Sequence, residues 1–211
     1  MSEIPQQAEW VYSAPNLKEL AARYDQWAKD YDRDLTELFG KTTPQKIAKV
    51  FAKYVPTKSK ILDVGVGTGL VGEFLNQHGY HHLDGLDISL KMMAEARKKN
   101  IYTAFYQEEL GQPLRLETNS YQAVIAKGVF TAGHAPSSAF DELIRITVPA
   151  GMLVFSLRSD YYRTSNFREK QDALEATGHW KLVEKTDPFV IWPKATEEIL
   201  CNIWVYRVTK F

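Results

Sequence analysis

One cysteine, Cys201, stands in 211 residues. No intrachain disulfide can form, and a reducing compartment such as the cytoplasm is the expected setting. Net charge is missing too: 26 basic residues balance 26 acidic ones. That leaves no electrostatic footprint for nucleic acid or for an anionic membrane surface. No apolar run reaches the roughly 18 residues of a membrane span. The opening Met-Ser-Glu-Ile-Pro-Gln-Gln lacks a basic stretch followed by an apolar one, so no signal peptide is expected. His81 and His82 have no helical partner spacing and no Cys or His cluster beside them. No metal site is predicted from that pattern.

What is present suits a globular protein: 45% hydrophobic and 25% charged residues. A single domain of this size hides roughly 70% of its unfolded surface, so a sizeable core is available. A monomer binding a small molecule is expected. The stretch that organises the chain is Lys60-Ile-Leu-Asp-Val-Gly-Val-Gly-Thr-Gly-Leu-Val-Gly72. Ile61, Leu62 and Val64 read as a buried parallel strand. Gly65, Gly67 and Gly69 follow at spacing two, and Leu70, Val71, Phe74 and Leu75 begin a helical period. Strand, glycine turn and helix make the first βα unit of a nucleotide-binding domain. Glycines here let backbone N–H groups approach a ligand, with a helix N-terminus behind them.

Taken in order, residues 1–15 carry Pro5 and Pro15 without a clear period and read as a loose arm. Asn16 is an N-cap for one amphipathic helix running through Tyr24, Trp27 and Tyr31. That aromatic face packs on a core or closes over a ligand. Thr43 caps a second helix with Pro44 at its first position, and Pro56 ends it. Gly79 follows the helix after the glycine turn. Leu83 to Asp87 is the second strand, and Ser89 caps Leu90 to Lys99. Strands are predicted at Ile101 to Tyr106, Tyr121 to Ala126 and Met152 to Leu157, with a helix at Ser137 to Thr147. Val129 to Pro136 and Arg158 to Tyr162 read as loops. Phe167 to Ala176 is helical, stopped by Gly178. Trp180 to Ile191 and Ile199 to Val208 close the chain as strands. With no helix between them they pair antiparallel. Residues 1–45 form an arm and lid, and 46–211 the ligand-binding body.

Two ligand classes fit the glycine loop. Gly67-x-Gly69-x-x-Gly72 satisfies the dinucleotide pattern, and Asp87 lies about 20 residues on, where a ribose-binding acid belongs. Against it, the series begins at Gly65, and Asp63 sets a carboxylate where a pyrophosphate is repelled. The chain also ends without a further parallel βα unit. S-adenosylmethionine fits better, because it is a cationic nucleoside with no phosphate.

Leu62-Asp-Val-Gly-Val-Gly-Thr-Gly69 resembles the first motif of class I S-adenosylmethionine-dependent methyltransferases, and Leu86-Asp-Ile-Ser89 with Met92 and Ala96 resembles the next. Tyr24-Asp-Gln-Trp-Ala-Lys-Asp-Tyr-Asp32, Gln112-Pro-Leu114 and Glu142-Leu-Ile-Arg-Ile-Thr147 with Pro149 and Gly151 are similar to one branch of that family. Relatives often carry Cys where Val66 stands. The resemblance implies a Rossmann-like α/β fold. It has a seven-stranded, mostly parallel sheet with an antiparallel last strand, helices on both faces and an N-terminal helical lid.

It also implies roles. Asp63 and the backbone of Gly65, Val66, Gly67 and Gly69 hold the methionine portion of S-adenosylmethionine, and later of the product S-adenosylhomocysteine. Asp87 accepts the ribose hydroxyls as a charge-assisted pair. Ile88 and Met92 sandwich the adenine, and Glu108 or Glu109 lies near its amino group. Ala126 and Lys127 line the sulfonium region, and Tyr24 and Tyr31 close the lid. Each has a plainer alternative. Asp87 caps a helix, Asp63 is a turn acid, the two glutamates are solvated charges, and Lys127 snorkels to solvent.

The acceptor side is open. His134, Lys127 and Tyr161 are the candidates for a catalytic role, with Arg158, Asp160 and Tyr162 beside them. Methyl transfer is an in-line displacement that rests on alignment and water exclusion, so a general base is optional. Ala126-Lys-Gly-Val-Phe130 replaces the Asn/Asp-Pro-Pro-Tyr type of sequence, which argues against amino-nitrogen methylation of bases or glutamine. Three activities remain: methyl transfer to a small acceptor, cofactor binding without turnover, and a nicotinamide-dependent oxidation. Thermal-shift measurement separates the last from the others: S-adenosylmethionine and S-adenosylhomocysteine should raise the melting temperature, and stabilisation by NAD alone would overturn the cofactor assignment.

Overall fold

A computed structural model of the chain describes residues 6–37, 40, 42–193 and 198–209. Among these, four helices precede the first strand: α1 (Gln6–Tyr12), α2 (Leu17–Trp27), α3 (Tyr31–Glu37) and α4 (Thr43–Ala52). The loose arm expected over 1–15 is therefore corrected from Gln6 onward; residues 1–5 lie outside the described residues. Ala8 and Val11, three apart, form the buried face of α1 and join a cluster with Leu20, Trp27 and Leu70. Asn16 caps α2 as expected, its side chain accepting from Glu19 N at 2.9 Å. The single helix through Tyr31 is instead two. The chain turns after Trp27, where Asp30 N donates to Trp27 O at 3.0 Å, and Trp27 Nε1 spans the bend to Asp34 Oδ2 at 2.8 Å. The cap of α4 is Thr42, not Thr43. The Thr43 hydroxyl is buried and points to Ile191 O at 3.4 Å.

The body then alternates β1 (Ile61–Val64), α5 (Leu70–Gln77), β2 (Leu83–Asp87), α6 (Leu90–Lys98), β3 (Ala104–Gln107), β4 (Tyr121–Phe130), α7 (Ala139–Ile146) and β5 (Thr147–Arg158). It ends with α8 (Ser159–Thr164), α9 (Phe167–Ala176), β6 (Trp180–Lys185), β7 (Phe189–Val190) and β8 (Leu200–Val208). The sheet order is β3-β2-β1-β4-β5-β8-β6, with β7 paired on β8. β1 to β5 run parallel, and β8 runs antiparallel to both β5 and β6. This is the expected seven-strand path, with a two-residue β7 added. The long strand expected over 180–191 breaks where Pro188 has no N–H to give a ladder.

Alternation along each strand builds the two faces. On β1, Ile61 enters one cluster with Phe51, Val71 and Val154; Leu62 enters the other with Phe140, Phe155 and Trp180. Helices α4 and α5 cover the first face, α7 and α9 the second. The strand order reverses between β1 and β4, and such a switch point opens a crevice at the strands' carboxyl ends.

Three further boundaries differ from expectation. β3 begins at Ala104, later than Ile101. β4 passes through Lys127 and Gly128 to Phe130, with a register shift against β5 between Ala126 and Phe130 and Gly128 at φ +71°. It is a bulge, which re-aims the side chain beside it. Arg158 to Tyr162 is not a loop, because Ser159 onward forms α8.

The connection before β4 is held by one guanidinium. Arg145 Nη2 donates to Leu114 O at 3.1 Å and Nη1 to Leu116 O at 2.9 Å, while Nε and Nη2 grip Glu142 at 2.8 and 2.7 Å. Glu142 in turn accepts from Leu114 N at 2.7 Å. This explains why Gln112-Pro-Leu114 and Glu142-Leu-Ile-Arg145 occur together. Lysine keeps the charge and loses the planar fork. Arg145→Lys should therefore cost about 1–3 kcal/mol of stability with the fold intact. Urea denaturation measures it, and an unchanged midpoint would refute the clamp.

Candidate functional site

The crevice at the β1/β4 switch encloses about 820 Å³, part of it open to solvent. Its floor is the glycine turn. Gly65, Gly67 and Gly69 all have positive φ, at +65°, +54° and +86°, which side-chain-bearing residues rarely adopt. A Cβ on Gly65 would also lie 2.2 Å from Val129 Cγ2.

The N–H groups of this turn point into the protein. Gly65 N and Val66 N both donate to Leu86 O, at 2.8 and 3.0 Å, and Gly67 N donates to Asp87 Oδ2 at 2.8 Å. The expectation that these N–H groups face a ligand is thus corrected. They are spent on the end of β2, so this stretch holds no cradle for phosphate. The acceptors in the lining are the carboxylates of Asp87, Glu108 and Glu109.

Several sequence candidates meet here. Gly65, Gly67, Asp87, Ile88 and Met92 line the cleft from the sheet side. Glu108, Glu109 and Lys127 line it as well, and Tyr24, Tyr31 and His134 complete it. Others stand behind. Asp63 is buried and accepts from Tyr102 Oη at 2.6 Å. Val66 packs with Met93 and Ala96, Gly69 precedes α5, and Ala126 is in the core. Tyr161 packs on Phe167, Tyr162 lies over Trp204, and Arg158 pairs with Asp160. Of the two glutamates, Glu108 is held by Arg115 at 2.8 Å, whereas Glu109 is exposed and its carboxylate has no partner among the described residues.

Reading the letters missed Tyr12, Leu17 and Leu20, which also line the cleft. Tyr12 belongs to α1, whose only signal is the spacing of Ala8 and Val11. It also missed two latches. Asp25 on α2 accepts from Ser89 Oγ at 2.5 Å and Lys91 N at 3.0 Å, at the start of α6. Asp32 on α3 accepts from Thr68 Oγ1 in the glycine turn and from Lys99 Nζ at 2.9 Å.

Burial shapes the charges. It pushes Asp87 up, against the Ser89 and Gly67 N–H groups, and pushes Lys127 down. His134 is held low by burial. Its Nδ1 faces Ala132 O at 3.0 Å, so Nδ1 carries the proton and Nε2 accepts from Tyr24 Oη at 2.9 Å. Burial also raises the Tyr24 and Tyr31 hydroxyls well above the ordinary phenol range, which keeps both protonated.

The fold and this cleft match those of enzymes with a Rossmann-like sheet. The chain belongs to the class I S-adenosylmethionine-dependent methyltransferases. The family model "Methyltransferase domain" matches residues 62–155. Human methyltransferase-like protein 27 is 30% identical over 203 residues, covering 92% of this chain and 78% of that protein. It represents the branch that the motifs at Tyr24 and Glu142 indicate. A shorter match links 68 residues, 32% of this chain, to the 18S rRNA (guanine(1575)-N(7))-methyltransferase of Saccharomyces cerevisiae, at 37% identity over 25% of that protein. The solved [4+2]-cyclase SpnF shares the fold with a TM-score of 0.71 and 13% identity, over 94% of this chain and 98% of that one. No helix among the described residues is long and apolar enough to cross a membrane.

Asp63 yields a pH test. Burial raises its carboxyl to about 7 despite the Tyr102 hydrogen bond. The folded chain then holds the proton more tightly than the unfolded one, whose carboxyl titrates near 4. Stability from this group is full below about pH 4 and is lost as pH rises through about 7. Asp63→Asn, which cannot ionise, should narrow the stability gap between pH 5 and pH 8 in ligand-free protein. Chemical denaturation at the two pH values reads it, and an equal gap in both proteins would refute the assignment.

Proposed function

We propose that this methyltransferase holds S-adenosylmethionine in the β1/β4 cleft and serves a small-molecule acceptor. The observation that carries the reading is the inward turn of the Gly65, Val66 and Gly67 N–H groups beside the carboxylate of Asp87. Such a floor repels a pyrophosphate and suits a positively charged nucleoside. The cofactor supplies an electrophilic methyl group on a sulfonium.

The chain's residues bind and align it. Asp87 keeps one lone pair on each oxygen beyond its bonds to Gly67 N and Ser89 N, and these accept the ribose hydroxyls. Ile88 and Met92 flank the adenine. Glu109 meets its amino group in preference to Glu108, which Arg115 already holds. Asp63 acts from behind the turn, favouring the positive methionine end without touching it. Val66, Gly69 and Ala126 serve through the backbone they shape. Residues 1–45 supply the lid, in which Tyr24 and Tyr31 exclude water.

A small acceptor is supported by the size of the cleft and by the zero net charge, which gives no overall attraction for a polyanion. The ribosomal RNA relatives make RNA the rival substrate. The two separate in one experiment: methyl-labelled S-adenosylmethionine is incubated with protein and a cell extract, then RNA, protein and small molecules are fractionated. Label should enter the small-molecule fraction and vanish with Asp87→Ala, which should also lose the thermal shift from S-adenosylhomocysteine. Label in RNA would overturn the small-acceptor reading. An unchanged shift in the variant would overturn the ribose assignment.

A further inference from the structure

A second pocket adjoins the cleft and shares Tyr12, Lys127 and Gly128 with it. It spans about 450 Å³, part of it open to solvent. Its charges differ from those of the first. Both contain Lys127, but the cleft adds the acids Asp87, Glu108 and Glu109, whereas the second pocket adds Arg158 and no carboxylate.

Lys127 stands at the junction because the Gly128 bulge turns β4 there. It is partly buried, yet its ammonium has no hydrogen-bond or ion-pair partner among the described residues. The carboxylates within electrostatic reach are engaged: Asp63 by Tyr102 at 2.6 Å, and Asp32 by Thr68 and by Lys99 at 2.9 Å. A partly buried cation with no direct partner loses hydration that these more distant carboxylates only partly offset. Such a group is retained where a ligand completes it.

Arg158 adds direction. Its Nε and Nη2 bond to Asp160 at 3.1 and 2.5 Å, which neutralises its charge and leaves Nη1 protons to give. The pair sums to zero, so the pocket carries about one net positive charge, that of Lys127. One positive charge matches a monoanion better than a phosphate dianion. An apolar side is built by Tyr12 and Trp192, stacked at 6.2 Å, with Phe130 and Ile191, while Thr43, Thr131 and Ser156 add neutral hydroxyls. Ser156 Oγ accepts from Gly128 N at 2.9 Å and keeps its own proton to donate, so it stands beside the two bases as a neutral hydroxyl donor.

We propose that this second pocket is the acceptor site and that the acceptor is a small organic carboxylic acid, its carboxylate held between Lys127 and Arg158 and its apolar body against Tyr12 and Trp192. The inference rests on the cofactor reading above and deepens it. It also gives the two pockets distinct tasks: the acids lie on the cofactor side alone, Arg158 lies on the acceptor side alone, and Lys127 stands between them.

Calorimetric titration tests it. Protein saturated with S-adenosylhomocysteine is titrated with phenylacetate and hexanoate, and separately with phenylacetamide and hexanamide. The acids should bind at least tenfold more tightly than the amides. Arg158→Met should weaken acid binding at least tenfold and leave S-adenosylhomocysteine affinity within twofold. Lys127→Met should weaken it likewise, and Lys127→Arg should restore most of it. Equal binding of acids and amides, or no binding of either acid to the loaded protein, would overturn the acceptor assignment alone. Loss of S-adenosylhomocysteine binding in Lys127→Met would assign Lys127 to the cofactor's own carboxylate and overturn it too. If S-adenosylhomocysteine fails to bind the unaltered protein, the cofactor reading falls, and the acceptor site with it. The acid–amide comparison needs no variant, so it stands whether or not the variants fold.

Discussion

The end of β2 holds the glycine turn in place, and the site depends on that grip. The Leu86 carbonyl accepts two N–H groups from the turn, and the Asp87 carboxylate accepts a third. Three consecutive donors from Gly65 to Gly67 are therefore satisfied within the protein. A buried N–H without a partner costs about as much as a lost hydrogen bond. The turn is thus pinned against the sheet before any ligand arrives. Its left-handed residues require glycine, and Val129 leaves no room for a side chain at Gly65. With the donors spent, the exposed chemistry of the floor is set by Asp87, and the cleft favours positive charge.

The N-terminal helices are fastened to that same floor. Asp25 caps α6 together with Ser89, and Asp32 joins the glycine turn to Lys99. Both carboxylates sit one residue after a tyrosine of the lid, Tyr24 and Tyr31. Each acid therefore sets the position of the ring beside it. Tyr24 then reaches His134 on the other side of the cleft. These helices are held by polar contacts at their base and by an edge-to-face aromatic pair, with Trp27 4.7 Å from Tyr31.

Much of this was legible in the letters where the cause is local. β2, the Ser89 cap, α9 and the Asn16 cap follow from neighbouring residues alone. Asp87 was legible because strand end, capping serine and glycine series lie within some two dozen residues. What failed needed a partner far along the chain. α1 is stable through its packing on α2, so its seven residues carry no strong period of their own. The bulge at Gly128 exists only in register with β5, and without it β4 reads as ending at Ala126. The Asp25 and Asp32 latches span more than thirty residues each and leave no spacing signal.

Gly72 shows how a motif can match for another reason. It completes the dinucleotide pattern, yet it lies in α5, away from the cleft lining. A Cβ there would come within 2.1 Å of Tyr102 Oη. The position is small so that Tyr102 can lie across the helix and donate to Asp63 at 2.6 Å. That bond gives a buried carboxylate a partner in a place where burial raises its proton affinity. The third glycine thus serves the acid that set this loop apart from a phosphate site. Gly72 and Asp63 pulled the reading of the letters in opposite directions, and through Tyr102 they are parts of one arrangement. The same carboxylate lies within electrostatic reach of Lys127, where the two pockets join. Asp63 bonds to Tyr102 rather than to Lys127, whose ammonium has no direct partner among the described residues.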